Sequence, residues 1–438
     1  MTAQINATGT IASVALDIPF EIAVYVGLAS ILMCSMLGGM RAVTWTQVAQ
    51  YIVLIIAYLL PVFWISSKMG AGFFPHLMLG DEVARIAELE GQFGFVKNSA
   101  ADLATVPKGL AGITKAHSSV NGTNWGFISL AICMMAGTAS LPHVMMRYFT
   151  TPSVKSARRS VAWSLLFIFI LYSTAPMLAT LSKLSLIDPT LSTGIIGKSI
   201  ADVQALDWYQ NWNQANLMFV SDFNGNGTLE LNEFFMGGKA VVLATPEIAG
   251  LPYVISGLVA AGGMAAAMST ADGLILAIAN ALSHDLYYKI IDPKAEAAKR
   301  LIVARVLLVI IGFAGATIAA MGIQGILGSV IWAFDFAMSG LFFPLVLGVW
   351  WKRANGPGAV AGMLLGLGAG TWYLLWVFNG GAGFWGITQA TFGIVGALVS
   401  LVSMVVVSLL TAAPNKATQD MIDELRIPSG KTILGKQH

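Results

Sequence analysis

Nine long apolar segments constrain the fold of this chain more than any other feature of its sequence. Each has about 20 residues or more, enough for a helix to cross the hydrocarbon core of a bilayer. Barrel strands alternate polar and apolar residues, so continuous apolar runs argue against a membrane barrel. The sequence therefore predicts an all-α polytopic membrane protein embedded in a lipid bilayer. The segments lie near residues 19–39, 44–66, 124–147, 160–183, 250–283, 301–322, 325–350, 357–378 and 384–412.

The composition excludes several other classes of protein. Charged residues make up only 11% of the chain, against about 25% in soluble domains. The net charge is +2 and no basic stripe accompanies it, so a nucleic acid partner is not expected. Cys34 and Cys133 lie inside apolar segments and are predicted to be core residues. The segments contain no cluster of metal ligands and no nucleophile–base pair, so we do not expect an enzyme. No feature indicates an obligatory protein partner.

The basic residues predict the orientation in the membrane. Of the 24 Lys and Arg residues, 16 lie in the short connections on one side and in the tail, 413–438. The two long loops, 67–123 and 184–249, hold seven of the others, and Lys183 borders the second loop. Short cytoplasmic loops carry an excess of Lys and Arg. The distribution therefore predicts a cytoplasmic carboxyl terminus and long loops that face outward.

The fifth apolar segment contains a possible cation site. Ala266, Ser269 and Thr270 share one face of the predicted helix. Two hydroxyls and a backbone carbonyl offer three oxygens to a dehydrated Na⁺, and carbonyls of a broken helix near the bilayer midplane complete such sites. The alternative is that the hydroxyls bond to carbonyls of their own helix and only permit close packing.

Two carboxylates lie inside apolar segments. A charged side chain in hydrocarbon is costly, so Asp272 and Asp335 indicate a cavity, an ion path or a paired group. The alternative is that helix ends or a wet vestibule satisfy them. Both are candidates for coupling or for lining the solute cavity.

The third segment is predicted to be a broken helix. Gly137, Thr138 and Ser140 precede Pro142, and Gly and Pro beside hydroxyls mark a helix that can unwind and expose carbonyls inside the membrane. The three residues before the proline are therefore further cavity candidates. A packing kink is the alternative.

The second long loop matches the calcium-binding loop of the EF-hand over residues 222–233, "DFNGNGTLELNE". The glycine of the sharp turn is Gly227, and the flanking sequences are predicted to form two short helices. Weak, structural Ca²⁺ binding is expected, and an Asn-Gly-rich turn is the alternative. The predicted ligands are Asp222, Asn224, Asn226, Thr228, Glu230 and Glu233.

Three long motifs together resemble one family. "LGGMRAVTWTQVAQYIVLI", "GTASLPHVMMRYFTTPSVKSARRSV" and "AAAMSTADGLILAIANALSHDLYYK" follow each other in the chain and are similar to signatures of the sodium:solute symporter family, nearest to its acetate-permease-like bacterial branch. The resemblance implies a leucine-transporter-like fold of two inverted repeats in a bacterial inner membrane. It also implies a sodium site at the Ala266 carbonyl and the Ser269 and Thr270 hydroxyls.

The resemblance also implies a division of the chain and a function. Residues 1–66 correspond to a remnant of the first repeat, 124–350 to the second repeat, and 351–412 to two extra helices. Segment 2–15 reads as the second half of a helix, so the fold is expected to lack its first helices. The expected function is Na⁺-coupled import of a small organic solute, a short-chain monocarboxylate such as acetate. The alternatives are a solute-sensing membrane module and a non-functional fragment of a symporter.

Overall fold

A computed structural model describes residues 1–70, 75–94, 98–113, 124–322 and 325–426. Helices dominate these residues, as the apolar segments predict. Short 3₁₀ segments at Pro75–Met78, Met146–Thr150 and Phe384–Gly386 join them, and π-helical segments follow at Ala281–Ile291 and Met338–Phe342. The α-helices are α1 (Thr2–Leu16), α2 (Phe20–Lys68), α3 (Leu79–Phe93), α4 (Ala100–Thr105), α5 (Asn124–Ala139), α6 (Pro142–Met145), α7 (Val154–Ile187), α8 (Ile200–Gln204), α9 (Asp207–Gln214), α10 (Val241–Ile248), α11 (Tyr253–Asn280), α12 (Ala297–Ala320), α13 (Ile326–Ala337), α14 (Phe343–Trp350), α15 (Gly356–Phe378), α16 (Gly393–Leu410) and α17 (Lys416–Arg426).

The described helices confirm a polytopic membrane protein. Seven of them are long and apolar enough to cross a membrane, or up to nine if each of two bent pairs forms one span. One bent pair joins α5 to the segment from Pro142 at 47°, and Ser140 and Leu141 between them are not helical. This break is the one that Gly137 and Pro142 predict, since proline removes a helical N–H.

The region of the first two predicted segments differs from the expectation. The sequence predicts two spans, but the backbone is helical without interruption from Phe20 to Lys68, over 49 residues. Within it, Val43–Lys68 is long and apolar enough to cross a membrane by itself, whereas Phe20–Met36 passes that test only together with α1, to which it is bent by 113°. No proline lies between positions 20 and 60, so no backbone N–H is missing where the chain was expected to turn.

The chain divides into two compact units. Unit 1 contains Met1–Ser118 and Trp163–Ile326, and unit 2 contains Ser119–Ala162 and Leu327–His438. In unit 1, α1, α2, α11 and α12 pack around one apolar core. Gly262 of α11 permits a close approach to α2, because a Cβ there would overlap the side chain of Ala57. Small residues at such contacts are typical of helix packing in membranes.

The two long loops fold together within unit 1. Strand β1 (Leu110–Gly112) comes from the first loop, and β2 (Met218–Val220) and β3 (Phe234–Gly237) come from the second. They form an antiparallel sheet with β3 in the centre. We call residues 75–94, 98–113 and 188–250 the loop subdomain. Its core contains buried side chains of α3, α9, all of the second loop's strands and the end of α7. The sequence did not predict this small sheet.

Unit 2 is held together by glycines that face serines. Gly358, Gly362, Gly366 and Gly370 recur every fourth residue along α15. Each is buried, and a Cβ on Gly366 would overlap both the Ser339 carbonyl and the Ser400 side chain. This spacing is the small-xxx-small pattern that lets membrane helices touch through their backbones. It joins α15 tightly to α16 and to the π-helical segment after α13.

Candidate functional site

The predicted sodium ligands lie in the middle of α11. The Ser269 hydroxyl donates to the Ala266 carbonyl over 2.8 Å, and the Gln47 side-chain amide donates to the Ser269 carbonyl over 2.5 Å. The within-helix hydrogen bond that the sequence left as an alternative is therefore present at Ser269. The hydroxyl oxygen of Ser269 still has lone pairs to offer, because a donating hydroxyl remains an acceptor.

Ala266 also lines a cavity between α1, α2, α10 and α11. Its volume is about 240 Å³, and most of its lining is apolar. The polar residues in that lining are Thr10, Tyr58 and Lys239. Sequence reasoning missed Tyr58 and Lys239, because nothing in the sequence brings position 239 of a long loop beside position 58 of a helix.

A larger cavity of about 890 Å³ adjoins the first, since Ile11 and Leu243 line both. Its carboxylates are Asp17, Asp207 and Glu247, and no lysine or arginine is among the described residues that line it. Along α11 the larger cavity reaches Tyr253 at the beginning of the helix, whereas Ala266, farther along the same helix, lines the smaller cavity. The larger cavity is therefore acidic, and of the predicted sodium ligands Ala266 lines the smaller one.

Glu247 is the carboxylate of the larger cavity with the clearest partner. The Trp212 indole N–H donates to its Oε2 over 2.9 Å. Burial raises the pKa of the Glu247 carboxyl, and the hydrogen bond from Trp212 opposes that shift. Burial is the larger cause because a charge in a poorly solvated position loses more than one neutral donor restores.

Asp272 is fully buried in unit 1, one helical turn after Ser269. Its Oδ1 accepts from the Ser35 hydroxyl over 2.8 Å, and its Oδ2 has no hydrogen-bond partner among the described residues. A buried carboxylate with one unmatched oxygen is costly in any fold. Its partner lies 237 positions earlier in the chain, so the sequence could not identify it.

Asp335 is a fully buried residue of α13 in unit 2, and it lies against the beginning of α16. Neither carboxylate oxygen meets hydrogen-bond geometry with a described residue, although the Cys133 thiol and the backbone N–H groups of Phe392 and Gly393 are its polar neighbours. A Cβ on Gly393 would lie 2.8 Å from Oδ1, so this glycine makes the approach possible. Helix N-termini attract carboxylates, which explains where Asp335 lies.

The other candidates surround the break after α5. A Cβ on Gly137 would lie 2.5 Å from the Phe334 carbonyl, so Gly137 is a packing contact between α5 and α13. The hydroxyls of Thr138 and Ser140 donate to the carbonyls four residues earlier, over 2.6 and 2.7 Å. Both hydroxyls satisfy carbonyls at the end of α5, as expected where a helix is interrupted. Gly137, Thr138 and Ser140 belong to unit 2, whereas Ser269 and Asp272 belong to unit 1.

The predicted calcium loop folds into a closed turn with its polar atoms gathered inside. Asp222 Oδ1 accepts from the backbone of Gly225 and Asn226, and its Oδ2 accepts from Gly227. The side-chain amides of Asn224 and Asn226 both donate to Glu230 Oε1. These side chains converge, as the spacing of the loop predicts.

The end of this loop is part of the core of the subdomain. Glu233 is fully buried and accepts from the backbone of Phe223 over 2.9 Å and of Glu230 over 3.0 Å. Leu229 exchanges backbone hydrogen bonds with Gly197 and Lys198. The sequence contains no second calcium-binding loop that could pair with this one. In the structure, the segment around Lys198 forms backbone hydrogen bonds with it instead.

Two findings bear on the predictions for the calcium loop. The flanks are strands β2 and β3, so the prediction of two short flanking helices was wrong. The alternating large residues from Met218 to Val220 and at Phe234 and Phe235 favour strands that pack on both faces. Within the described residues, no group of three or more His, Cys, Asp or Glu side chains is placed to hold a metal ion. The asparagine and backbone oxygens would have to supply the rest.

Comparison with known proteins identifies the family. The sequence model of the sodium:solute symporter family matches residues 1–188 and 239–366. The chain is 33% identical to an uncharacterized symporter of Cupriavidus necator, over 97% of this chain and 74% of that protein. It is 26% identical to the monocarboxylic acid transporter of Corynebacterium glutamicum, over 84% of this chain and 58% of the transporter.

The fold is also that of a solved transporter. The structure of a Na⁺-coupled sialic acid symporter in a substrate-bound, outward-open state matches with a TM-score of 0.59, covering 95% of this chain and 72% of that one. Their sequences are 16% identical, so this likeness concerns the fold alone. It confirms the leucine-transporter-like class that the three motifs imply, and the family is one of transporters rather than enzymes. The family match covers most of the chain, over residues 1–188 and 239–366, and the chain belongs to the sodium:solute symporter family.

Proposed function

We propose that this chain imports a small organic solute together with Na⁺ by alternating access. The observation that carries the proposal is the position of Ala266, which lines a cavity between four helices while Ser269 and Thr270 lie in the next turn of the same helix. Family membership supports transport, and the similarity to a Na⁺-coupled symporter in fold supports the choice of ion.

The sodium half-site would use three oxygens of α11. The Ala266 carbonyl and the Ser269 and Thr270 hydroxyls are the proposed ligands. In the structure the Ser269 hydroxyl points its hydrogen at the Ala266 carbonyl. Arrival of Na⁺ would turn that hydrogen away, so that both oxygens present lone pairs to the ion. Oxygen ligands for a dehydrated ion inside a membrane protein lie at such interrupted or small-residue faces.

The proposed solute is a short-chain monocarboxylate such as acetate. A relative named as a monocarboxylic acid transporter supports this class. The apolar lining of the cavity beside Ala266 suits a short alkyl group. Asp272 and Asp335 remain proposed coupling groups, as do Gly137, Thr138 and Ser140 as residues near the transport path.

The orientation and the repeats are part of the same proposal. Because β1 of the first long loop pairs with β3 of the second, the two loops lie on one side of the membrane. We place that side outward and the tail, 413–438, in the cytoplasm of a bacterial cell, as the basic residues indicate. Residues 1–66 would belong to the first inverted repeat, 124–350 to the second, and 351–412 to the extra helices.

The proposal is tested by uptake into proteoliposomes. Labelled acetate uptake is compared with an inward Na⁺ gradient and with the same concentration of K⁺, for the unaltered chain and for Ser269→Ala/Thr270→Ala. We expect uptake only with Na⁺, and loss of that uptake in the double variant. Thr371→Ala/Ser403→Ala is the matched control, because it also removes two hydroxyls that bond within membrane helices.

The outcomes separate the function classes. Na⁺-driven uptake of another solute, with acetate ignored, would reject the monocarboxylate and keep the symporter. Binding of solute without any uptake would favour the solute-sensing module. Equal uptake in the presence and absence of a Na⁺ gradient would refute sodium coupling.

A second proposal concerns calcium. We propose that the loop at 222–233 binds Ca²⁺ weakly and fastens the loop subdomain. The supporting observation is that Asp222, Asn224, Asn226 and Glu230 converge on one turn whose last residue, Glu233, is buried in the core. Titration calorimetry with Ca²⁺ should detect binding that Asp222→Asn abolishes and that Asp202→Asn, a surface control in α8, leaves unchanged. No heat of binding at millimolar Ca²⁺ would refute it.

A further inference from the structure

We propose that Lys239 anchors the carboxylate of the solute in the cavity beside Ala266. The inference rests on the proposed function and adds to it a binding residue and a reason for the substrate class. It begins from the charges around the cavity. Lys239 is the one charged side chain among the described residues that line it, and the rest of the lining is almost entirely apolar.

The ammonium of Lys239 has no acidic partner among the described residues. Among the described residues, no carboxylate lies within ion-pair distance of it, and its one recorded contact is the ring of Phe20, whose centroid lies 4.8 Å from Nζ. Phe20 lines a neighbouring cavity of about 190 Å³, which Lys239 also lines. Burial lowers the pKa of the Lys239 ammonium. A desolvated ammonium on an aromatic ring is only partly compensated. Because Lys239 lines both cavities, its flexible side chain could turn the ammonium towards an anion beside Ala266, which would supply the missing opposite charge.

Tyr58 offers a second donor to the same cavity. Its hydroxyl makes no hydrogen bond to any other described residue, whereas the Thr10 hydroxyl donates to the Asn6 carbonyl over 2.9 Å. An ammonium and a free phenol are both hydrogen-bond donors. A carboxylate has two acceptor oxygens and suits such a pair, while a neutral amide presents only one carbonyl oxygen and an NH₂ group that would face a donor.

The remaining lining restricts the other end of the solute. Leu54, Val259 and Gly262 belong to the apolar walls, and the volume is about 240 Å³. A short alkyl chain can be buried there, but a second charge or a row of hydroxyls would lose its hydration without compensation. The cavity is therefore suited to a monocarboxylate with a small apolar group.

The same cavity links the anion to Na⁺. Ala266 and Lys239 both line it, so a cation held at Ala266 and the ammonium of Lys239 would both act on one carboxylate. Attraction between Na⁺ and the anion would make each bind more tightly in the presence of the other, because coupling between two ligands is reciprocal. This arrangement would couple the binding of the solute to the binding of Na⁺.

The experiment measures binding, so that it does not depend on transport. Propionate and its neutral isostere propionamide are titrated into the purified chain in nanodiscs, in Na⁺ and in K⁺ buffer, and intrinsic fluorescence or calorimetry gives Kd. We expect propionate to bind in Na⁺ buffer and propionamide to bind at least about tenfold more weakly, as the loss of a charge-assisted hydrogen bond predicts.

Variants locate the effect. Lys239→Gln should raise Kd for propionate about tenfold or more and remove the preference over propionamide. Lys239→Arg should keep the preference, and Tyr58→Phe should weaken propionate binding less than Lys239→Gln. The control is Lys198→Gln, which removes an exposed lysine of the same loop subdomain and should change nothing.

Two results would overturn the inference. One is an unchanged Kd for propionate in a Lys239→Gln variant that elutes as the unaltered chain does. The other is equal affinity for propionate and propionamide. If Lys239→Gln acts as expected but Na⁺ has no effect on Kd, the anchor stands and sodium coupling fails. If no carboxylate binds while the same preparation takes up another solute with Na⁺, the anchor fails and the symporter stands.

Discussion

Replacement of Glu233 by Gln should loosen the loop subdomain by a measurable amount. Glu233 is completely buried, and its carboxylate accepts the backbone N–H groups of Phe223 and Glu230. Glutamine keeps one acceptor oxygen and turns an NH₂ group towards the other N–H, so one buried donor loses its partner. Such a loss costs about 2 kcal/mol. The change in shape is negligible, so no cavity adds to this cost.

Hydrogen exchange is the suitable assay because it reports the free energy of local opening. At about 1.4 kcal/mol for each factor of ten, a cost of about 2 kcal/mol corresponds to exchange about 30-fold faster. The amides of Phe223, Leu229 and Glu230 are the reporters. The measurement is made with a chelator present, so that it concerns the polypeptide alone.

Glu230→Gln is the matched control. Glu230 accepts two side-chain amides at the exposed side of the turn, and water can replace these donors, so exchange should change less than about threefold. The reasoning is refuted if Glu233→Gln leaves the exchange of these amides within threefold of the unaltered chain. It is also refuted if the two variants accelerate exchange equally.

Two further predictions concern packing and pH. Gly366→Ala should reduce the free energy of unfolding by about 1–3 kcal/mol or more, because the new Cβ would overlap the Ser339 carbonyl. The midpoint of thermal unfolding in detergent should therefore fall. Gly368→Ala in the same helix has open space beside it and should be neutral or stabilising, so equal losses would contradict the packing argument. Burial raises the pKa of Glu247, so its folded form favours the proton. The stability it contributes is present below the ordinary carboxyl pKa of about 4.3 and is lost as pH rises through the raised value. Glu247→Gln keeps an acceptor for Trp212 but cannot titrate. The free energy of unfolding should therefore depend on pH differently in the variant and in the unaltered chain, and identical pH profiles would contradict the argument.

Local sequence was enough for features that one helix or one loop builds alone. The helical period places Ser269 beside Ala266, and the loop spacing brings Asp222 and Glu230 together without any distant residue. The break after Gly137 was predictable for the same reason, since Pro142 acts on its own backbone. In each case the partners are separated by fewer than ten positions, and covalent geometry limits where they can be.

The rest depended on contacts that covalent geometry does not limit. Strand β1 pairs Leu110 with Gly237, and its three residues "LAG" carry no pattern typical of a strand. Ser35 meets Asp272, and Gly393 makes room for Asp335. The sequence marked both carboxylates as costly inside a membrane but contained no sign of their neighbours, since many small or polar residues could have served.

The sequence by itself determined that the chain crosses a membrane, that it belongs among sodium:solute symporters, and which helix carries the hydroxyl pair. Hydrophobic length decides the first point and helical period the third, and both act within one segment. The second point follows from the similarity of three motifs to the signatures of the family. Only the tertiary structure brought Lys239 and Tyr58 to the cavity that Ala266 lines and joined the two long loops in one core. The physical reason is that a cavity and its charges arise where separate segments pack, and packing depends on the shapes of all of them at once.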